Sequence, residues 1–220
     1  MGYDLSLTTS DGHILNAYSA LPDGETKGGM VIIQEIFGVN DDIRETVDNF
    51  AREGYHAIAP AMFDRIESGV ILGFDETGMN KGRELKGGLD WSDVVQDVNA
   101  AISHVKKAGK VGIVGFCMGG SVAWFAASRS PVDVAICYYG GDIPKLKILE
   151  PKCSVLTHFG ELDQGIPIDS VEVFKSMKPE VLTYTYPADH GFNCDHRKQF
   201  NQTSAKIALD RTLKFLESNL

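Results

Sequence analysis

Apolar residues along the chain fall into short, separated runs whose spacing switches between two periods. Leu5 to Thr9 and Ile14 to Ala20 alternate apolar with polar and are joined by Ser10-Asp11-Gly12, whose Asp-Gly pair favours a tight turn. This pattern predicts an antiparallel N-terminal hairpin. A soft stretch, Pro22 to Gly29, leads to the continuous apolar run Met30-Val31-Ile32-Ile33, the signature of a strand covered on both faces. From Asp41 the period lengthens: Ile43, Val47, Phe50 and Ala51 share one helical face, and Gly54 ends it. His56 to Ala59 is the next buried strand, closed by Pro60.

Residues 61 to 89 carry weak periodicity and several glycines (Gly69, Gly73, Gly78, Gly82, Gly87, Gly88), which predicts a loop excursion with at most a short helix. Asp90 can cap a helix with the stripe Val94, Val98, Ile102 and Val105, stopped by Gly109. Thereafter strands and helices alternate: strand Val111 to Val114, helix Ser121 to Ser128, strand Val134 to Tyr138, strand Ser154 to Phe159, helix Ser170 to Met177, strand Leu182 to Tyr186 and helix Ser204 to Leu216. Alternation of this kind predicts an α/β fold with a mostly parallel central sheet, helices on both faces and right-handed crossovers. No repeat, low-complexity tract or composition shift divides the chain, so residues 1–220 read as one domain.

Composition narrows the function. Of 220 residues 43% are apolar and 23% charged, an ordinary globular balance. Lys plus Arg is 21 against 30 Asp plus Glu, a net charge of −9 that repels phosphate backbones and anionic lipid. Nucleic acid and membranes are therefore not expected as partners. The N-terminus lacks a signal-peptide core, and no apolar run approaches the ~18 residues of a membrane span. Four cysteines without paired spacing fit a reducing, cytoplasmic compartment, with Cys137 and Cys153 as core residues.

The chemistry centres on Gly115-Phe116-Cys117-Met118-Gly119, which leaves a β-branched strand and enters an alanine-rich helix. A Gly-x-Cys-x-Gly turn in that context is a nucleophile elbow with sulfur in place of oxygen. The turn forces its central residue into strain, and the small neighbours remove the clash. At a helix start, the macrodipole and free N–H groups favour a thiolate at Cys117. Met118 N–H would face the oxygen of an attacked carbonyl.

A thiol nucleophile needs a base, and the base an orienting carboxylate, in the order nucleophile, acid, histidine. Six histidines compete. His13, His56, His104 and His158 lie in the hairpin, strands or a long helix, which leaves His190 and His196; His190, in a loop just past the last strand, is the preferred base. Glu161 and Asp163 follow the preceding strand, and Asp163, deeper in its loop, is the preferred acid. Glu35 ends the strand Met30 to Ile33 in apolar company, where an unpaired carboxylate is costly. It must be exposed, protonated or paired. Ile36 N–H, next in the chain, would be the second oxyanion donor.

Gln34-Glu35-Ile36-Phe37-Gly38-Val39-Asn40, Arg44-Glu45-Thr46-Val47, the cysteine elbow, Tyr138-Tyr139-Gly140 and Asp189-His190-Gly191-Phe192 together resemble the dienelactone hydrolase (carboxymethylenebutenolidase) family of α/β-hydrolases, nearly end to end. The resemblance implies the α/β-hydrolase fold, Cys117 as nucleophile, Asp163 and His190 completing a triad, and Glu35 as the acid that helps activate the thiol. It also implies Ile36 and Met118 as the oxyanion hole, and a small ester or lactone, with or without a free carboxylate, as substrate. Arg65 and Arg83 match the arginines that hold the lactone carboxylate, and Tyr138 joins the substrate-binding set. One departure stands out: family members with lactone specificity carry an arginine four positions after the histidine, where this chain has Cys194. Arg197 lies three residues further on and is not assigned. No metal or organic cofactor is required, and a monomer or weak homo-oligomer is expected.

Two rival readings compete. Asp189, His190, Cys194, Asp195 and His196 form a loop of metal-capable side chains that could hold zinc, and the elbow cysteine could serve a non-catalytic, redox-sensing relative instead. A chelator effect on folding or activity would favour the first, and absence of ester turnover the second.

Overall fold

The computed structural model describes residues 2–220. In chain order its elements are β1 (Tyr3–Thr8), β2 (Ile14–Ala20), β3 (Gly28–Ile33), α1 (Asp41–Arg52), β4 (Tyr55–Pro60), α2 (Glu76–Gly87), α3 (Trp91–Val105), β5 (Val111–Phe116), α4 (Met118–Arg129), β6 (Val134–Tyr138), β7 (Ser154–Gly160), α5 (Ile168–Met177), β8 (Leu182–Tyr186) and α6 (Gln202–Asn219). One eight-stranded sheet runs β1-β2-β4-β3-β5-β6-β7-β8. β1 and β2 pair antiparallel, with Tyr3 opposite Ser19 and Thr8 opposite Ile14, and β2 pairs antiparallel with β4. Every other pairing is parallel.

The apolar runs explain the layering. Each residue of β3, β5 and β6 is buried, as strands covered from both sides must be. α1 buries Ile43, Val47, Phe50 and Ala51, and its N-cap Asn40 accepts a hydrogen bond from Ile43 N–H. α3 buries Val94, Val98, Ile102 and Val105 beneath a cap made by Asp90. Among the described residues, no helix is long and apolar enough to cross a membrane.

Three elements differ from the sequence pattern. Gly28 and Gly29 begin β3 instead of ending the linker: they pair with Tyr55 and His56 of β4, and Gly29 lies so near α3 that a Cβ would meet Val105 at 2.7 Å. α4 starts at Met118, not Ser121: Gly119 and Gly120 are helical, and a Cβ on either would press on backbone oxygens of Ile33 or Tyr138 at 2.3 and 2.4 Å. The excursion 61–89 contains a full 12-residue helix, α2, capped by Asp75, whose carboxylate accepts from Gly78 N–H. Its glycines weaken the helical signal, yet Gly78 and Gly82 serve close contact: a Cβ would lie 2.0 Å from Gly73 O and 2.2 Å from Ile36 O respectively.

Strand order reverses beside β3, and the C-terminal ends of β3, β5, β6, β7 and β8 open on one rim. A crevice outside the carboxyl ends at such a switch point is where open α/β sheets bind ligands.

Candidate active site

β5 ends at Phe116, and Cys117 turns the chain directly into α4 at φ 55°, ψ −116°. For a residue with a side chain this backbone conformation is strained by about 1–3 kcal/mol. Surrounding contacts hold it. Cys117 N–H donates to Tyr138 O at 3.0 Å, and Cys117 O accepts from Gly120 and Ser121 N–H at 3.0 and 3.3 Å. Gly115 is required next door, because a Cβ there would lie 1.9 Å from Gly119 O. Met118 N–H, at the first turn of α4, and Ile36 N–H, at the end of β3, meet no acceptor among the described residues.

His190 follows β8 in a short loop, and its Nδ1 lies 2.6 Å from Asp163 Oδ2. Asp163 follows β7; its other oxygen accepts from Gly165 and Ile166 N–H at 2.7 and 3.2 Å. Burial works against the Asp163 charge, but the His190 contact and these amides outweigh it and lower its pKa. Cys117 is close enough to the His190 imidazole for the two to interact electrostatically. Burial alone would discharge the imidazole; the negative charges of Cys117 and Asp163 prevail and push its pKa up to about 10. Three strand ends thus deliver sulfur, imidazole and carboxylate in one line.

Glu35 is paired. Only 2% exposed, it receives Arg197 Nη1 at 3.1 and 3.3 Å on its two oxygens. Burial disfavours the Arg197 cation, yet Glu35 first and Cys117 second raise its pKa above the usual value. The guanidinium also lies over the Phe37 ring at 5.6 Å. Beside this pair, Cys194 is buried next to the Asp42 carboxyl. Burial and then Glu35 raise the Asp42 carboxyl to about 6, while burial and Asp42 push the Cys194 thiol well up.

The three expected substrate-binding residues have different surroundings. Arg65 donates through Nε to Asp97 at 3.0 Å and through Nη1 to Asp11 at 2.9 Å, tying the hairpin turn to α3, so its guanidinium is committed to carboxylates of the fold. Arg83 stands exposed on α2 without a carboxylate partner among the described residues. The Tyr138 phenol is buried on the α6 side, 2.7 Å from Thr212 Oγ1. Tyr139, at φ 38°, is the tyrosine near the imidazole, with its ring 5.2 Å from His190 and 5.3 Å from Phe192.

The loop of metal-capable side chains is likewise dispersed. His190 faces Asp163, Cys194 faces Asp42, and Asp189 accepts from the His190 backbone. The side chains that do approach one another, Asp42, Asp195 and His196, form a rim with two exposed members. His158 is fully buried, 2.7 Å from Tyr186 Oη and 3.1 Å from Thr212 Oγ1; burial lowers its pKa to about 3, which marks it as a neutral core residue.

Asp97 is 1% exposed and depends on Arg65 for its charge. Arg65→Met should therefore cost about 3 kcal/mol of stability, read as a lowered denaturant midpoint. KM for carboxylated and neutral esters should remain equal to wild type. A selective rise in KM for the carboxylated ester would return Arg65 to the substrate site.

Cavities frame the rim. One of about 490 Å³ lies between α1 and α6, lined by Phe50, Phe116, Phe200 and Leu209. Another, about 310 Å³, opens beside Met118 among Trp91, Val94, Val122 and Leu146.

Known proteins are similar to this chain over most of its length. Residues 15–220 match the model of the dienelactone hydrolase family. A carboxymethylenebutenolidase of Pseudomonas putida is 33% identical over 223 residues, covering 96% of this chain and 94% of its own. The carboxymethylenebutenolidase of Pseudomonas knackmussii has the same identity and coverage. A crystal structure of a Klebsiella pneumoniae protein assigned as a dienelactone hydrolase superposes with a TM-score of 0.83, at 28% identity and 99% coverage of both chains.

Proposed function

The chain belongs to the dienelactone hydrolase family of ester- and lactone-cleaving enzymes, and from that premise we propose that it hydrolyses a small ester or lactone through an acyl thioester on Cys117. The observation that carries this reading is the hydrogen bond between His190 and Asp163 with the elbow cysteine Cys117 beside the imidazole, next to two backbone donors without an acceptor among the described residues.

Cys117 Sγ, as thiolate, attacks the carbonyl carbon. The C–S bond forms as the carbonyl π pair moves to oxygen, and the oxyanion is received by Ile36 and Met118 N–H. Collapse breaks the C–O bond, and the leaving oxygen takes the proton held by His190. Water then gives a proton to His190 and adds to the thioester carbonyl; expulsion of sulfur frees the acid and restores the thiolate. Asp163 keeps the imidazole oriented and supports its positive charge throughout. Glu35, ion-paired with Arg197, is the acid that assists activation of the thiol. Enol and aryl esters suit this scheme, because their oxygen, protonated by His190 as it departs, competes with expulsion of the thiolate where a simple alkoxide would not.

Intact-mass spectrometry with an aryl ester tests the scheme: a covalent acyl adduct should appear on Cys117 during turnover and disappear as ester is exhausted. Its pH profile should follow the imidazole. His190 is raised in the folded state to about 10, so the imidazolium beside sulfur persists through neutral pH. Turnover should fall on the alkaline side with a midpoint near 10 as that proton is lost. The stabilisation from this raised pKa is complete below the unfolded value of about 6.5 and fades as pH rises through the folded one. Turnover without a detectable adduct, or an alkaline midpoint near 7, would refute the ion pair.

A further inference from the structure

The excursion 61–89 packs on the segment that carries Ile36, and the contacts are backbone to backbone. Leu72 N–H donates to Phe37 O at 2.9 Å, and Gly38 forms an antiparallel bridge with Ile71. Gly82, in the middle of α2, lies so close to Ile36 that a Cβ would sit 2.2 Å from its carbonyl oxygen and 3.0 Å from its Cβ. Gly82 is buried, and α2 has no other role in the triad. A glycine inside a helix costs about 1 kcal/mol relative to alanine, so its presence here calls for a compensating contact.

We propose that Gly82 is a positioning residue: by letting the α2 backbone rest on the carbonyl and Cβ of Ile36, it holds the Ile36 Cα in place and with it the preceding Glu35–Ile36 peptide, whose N–H is aimed at the developing oxyanion. This rests on the oxyanion role given to Ile36 above. On this reading the excursion is a fixed brace for the oxyanion hole and not a moving cover. A Cβ at Gly82 cannot be absorbed by a flexible side chain, since the obstacle is a backbone oxygen. Either α2 or the Ile36–Phe37 peptide must shift, and a donor must lie within about 2.7–3.1 Å of the oxyanion to act.

Gly82→Ala tests this, with Asn80→Ala on the exposed side of α2 as the control for helix propensity. Three quantities are read on wild type and both variants: kcat and KM for an aryl acetate, alkylation of Cys117 by iodoacetamide, and affinity for an aldehyde that adds to the thiol as a tetrahedral hemithioacetal. Gly82→Ala should lower kcat about 10- to 100-fold, within the range for losing one oxyanion donor, with KM changed less than threefold. Aldehyde affinity should fall in parallel. Iodoacetamide needs the thiolate and imidazole but no oxyanion hole, so its rate should stay within twofold. Asn80→Ala should match wild type throughout.

Wild-type kcat in Gly82→Ala overturns the brace while leaving the thioester reading intact. Equal losses of alkylation and turnover also overturn it, because the damage would then reach the triad. An aldehyde with no affinity for wild type, together with turnover in Cys117→Ala, would instead sink the underlying reading. If Gly82→Ala does not fold, Leu72→Ala and Leu72→Pro, the second of which removes the N–H that donates to Phe37 O, provide the graded series, and kcat should then follow aldehyde affinity across it; independence of the two removes the proposal.

Discussion

Replacing Cys117 or His190 with alanine should abolish turnover of an activated aryl ester, each by at least about 10³-fold, and the double variant should be scarcely worse than either single one. Members of a catalytic unit are strongly non-additive, since sulfur without its base and base without its sulfur are nearly equally inert. The geometry makes this sharp here. His190 is hydrogen-bonded to the Asp163 carboxylate at 2.6 Å and lies beside Cys117, so on the proposed mechanism it has no independent task. Asp163→Asn should lose less, because the imidazole keeps its place but not its orientation or the support for its charge. Both alanine variants should remain folded, since Cys117 and the His190 side chain are partly exposed and leave no large void. Unchanged turnover in both would show that the chemistry occurs elsewhere.

The second large effect concerns Arg197. Arg197→Met should destabilise the protein by about 3–5 kcal/mol, the cost of leaving a buried carboxylate without its counter-ion. In a chain of this size that corresponds to about 10 °C in Tm. Glu35 is 3% exposed at its side chain and Arg197 9%, so water cannot compensate for the missing cation. kcat should fall as well, because the liberated carboxylate would take up a proton or swing away. Glu35→Gln combined with Arg197→Met should recover most of the stability and none of the rate. Thermal melts of the three variants decide the matter: a single variant as stable as wild type would show the pair to be dispensable.

Much of the architecture could be read from hydrophobic spacing alone. Unbroken apolar runs such as Met30 to Ile33 admit little but a strand covered on both faces, and the stripes of α1 and α3 are cleanly periodic. Where the reading failed, two physical situations leave the same trace in sequence. A glycine in a loop and a glycine where a helix rests on another backbone look identical, which hid α2. An arginine that binds a substrate carboxylate and one that binds a carboxylate of its own fold also look identical. Asp11 and Asp97 are far apart along the chain, and nothing local shows that Arg65 ties them together. Tyr138 and Tyr139 differ by which side of the sheet end each faces, and the positive φ at Tyr139 is what turns it toward His190. Cys194 signalled that the usual arginine position was vacant, but only the folded loop brings Arg197 back onto Glu35 from three residues further on.

The sulfur and its base come from opposite parts of the chain, and that spacing sets an order of assembly. Cys117 is translated long before His190, and the loop with Gly191 packs against Arg197, whose own target is Glu35 near the start. On the proposed mechanism the sulfur therefore meets its proton acceptor only when the final quarter of the chain docks.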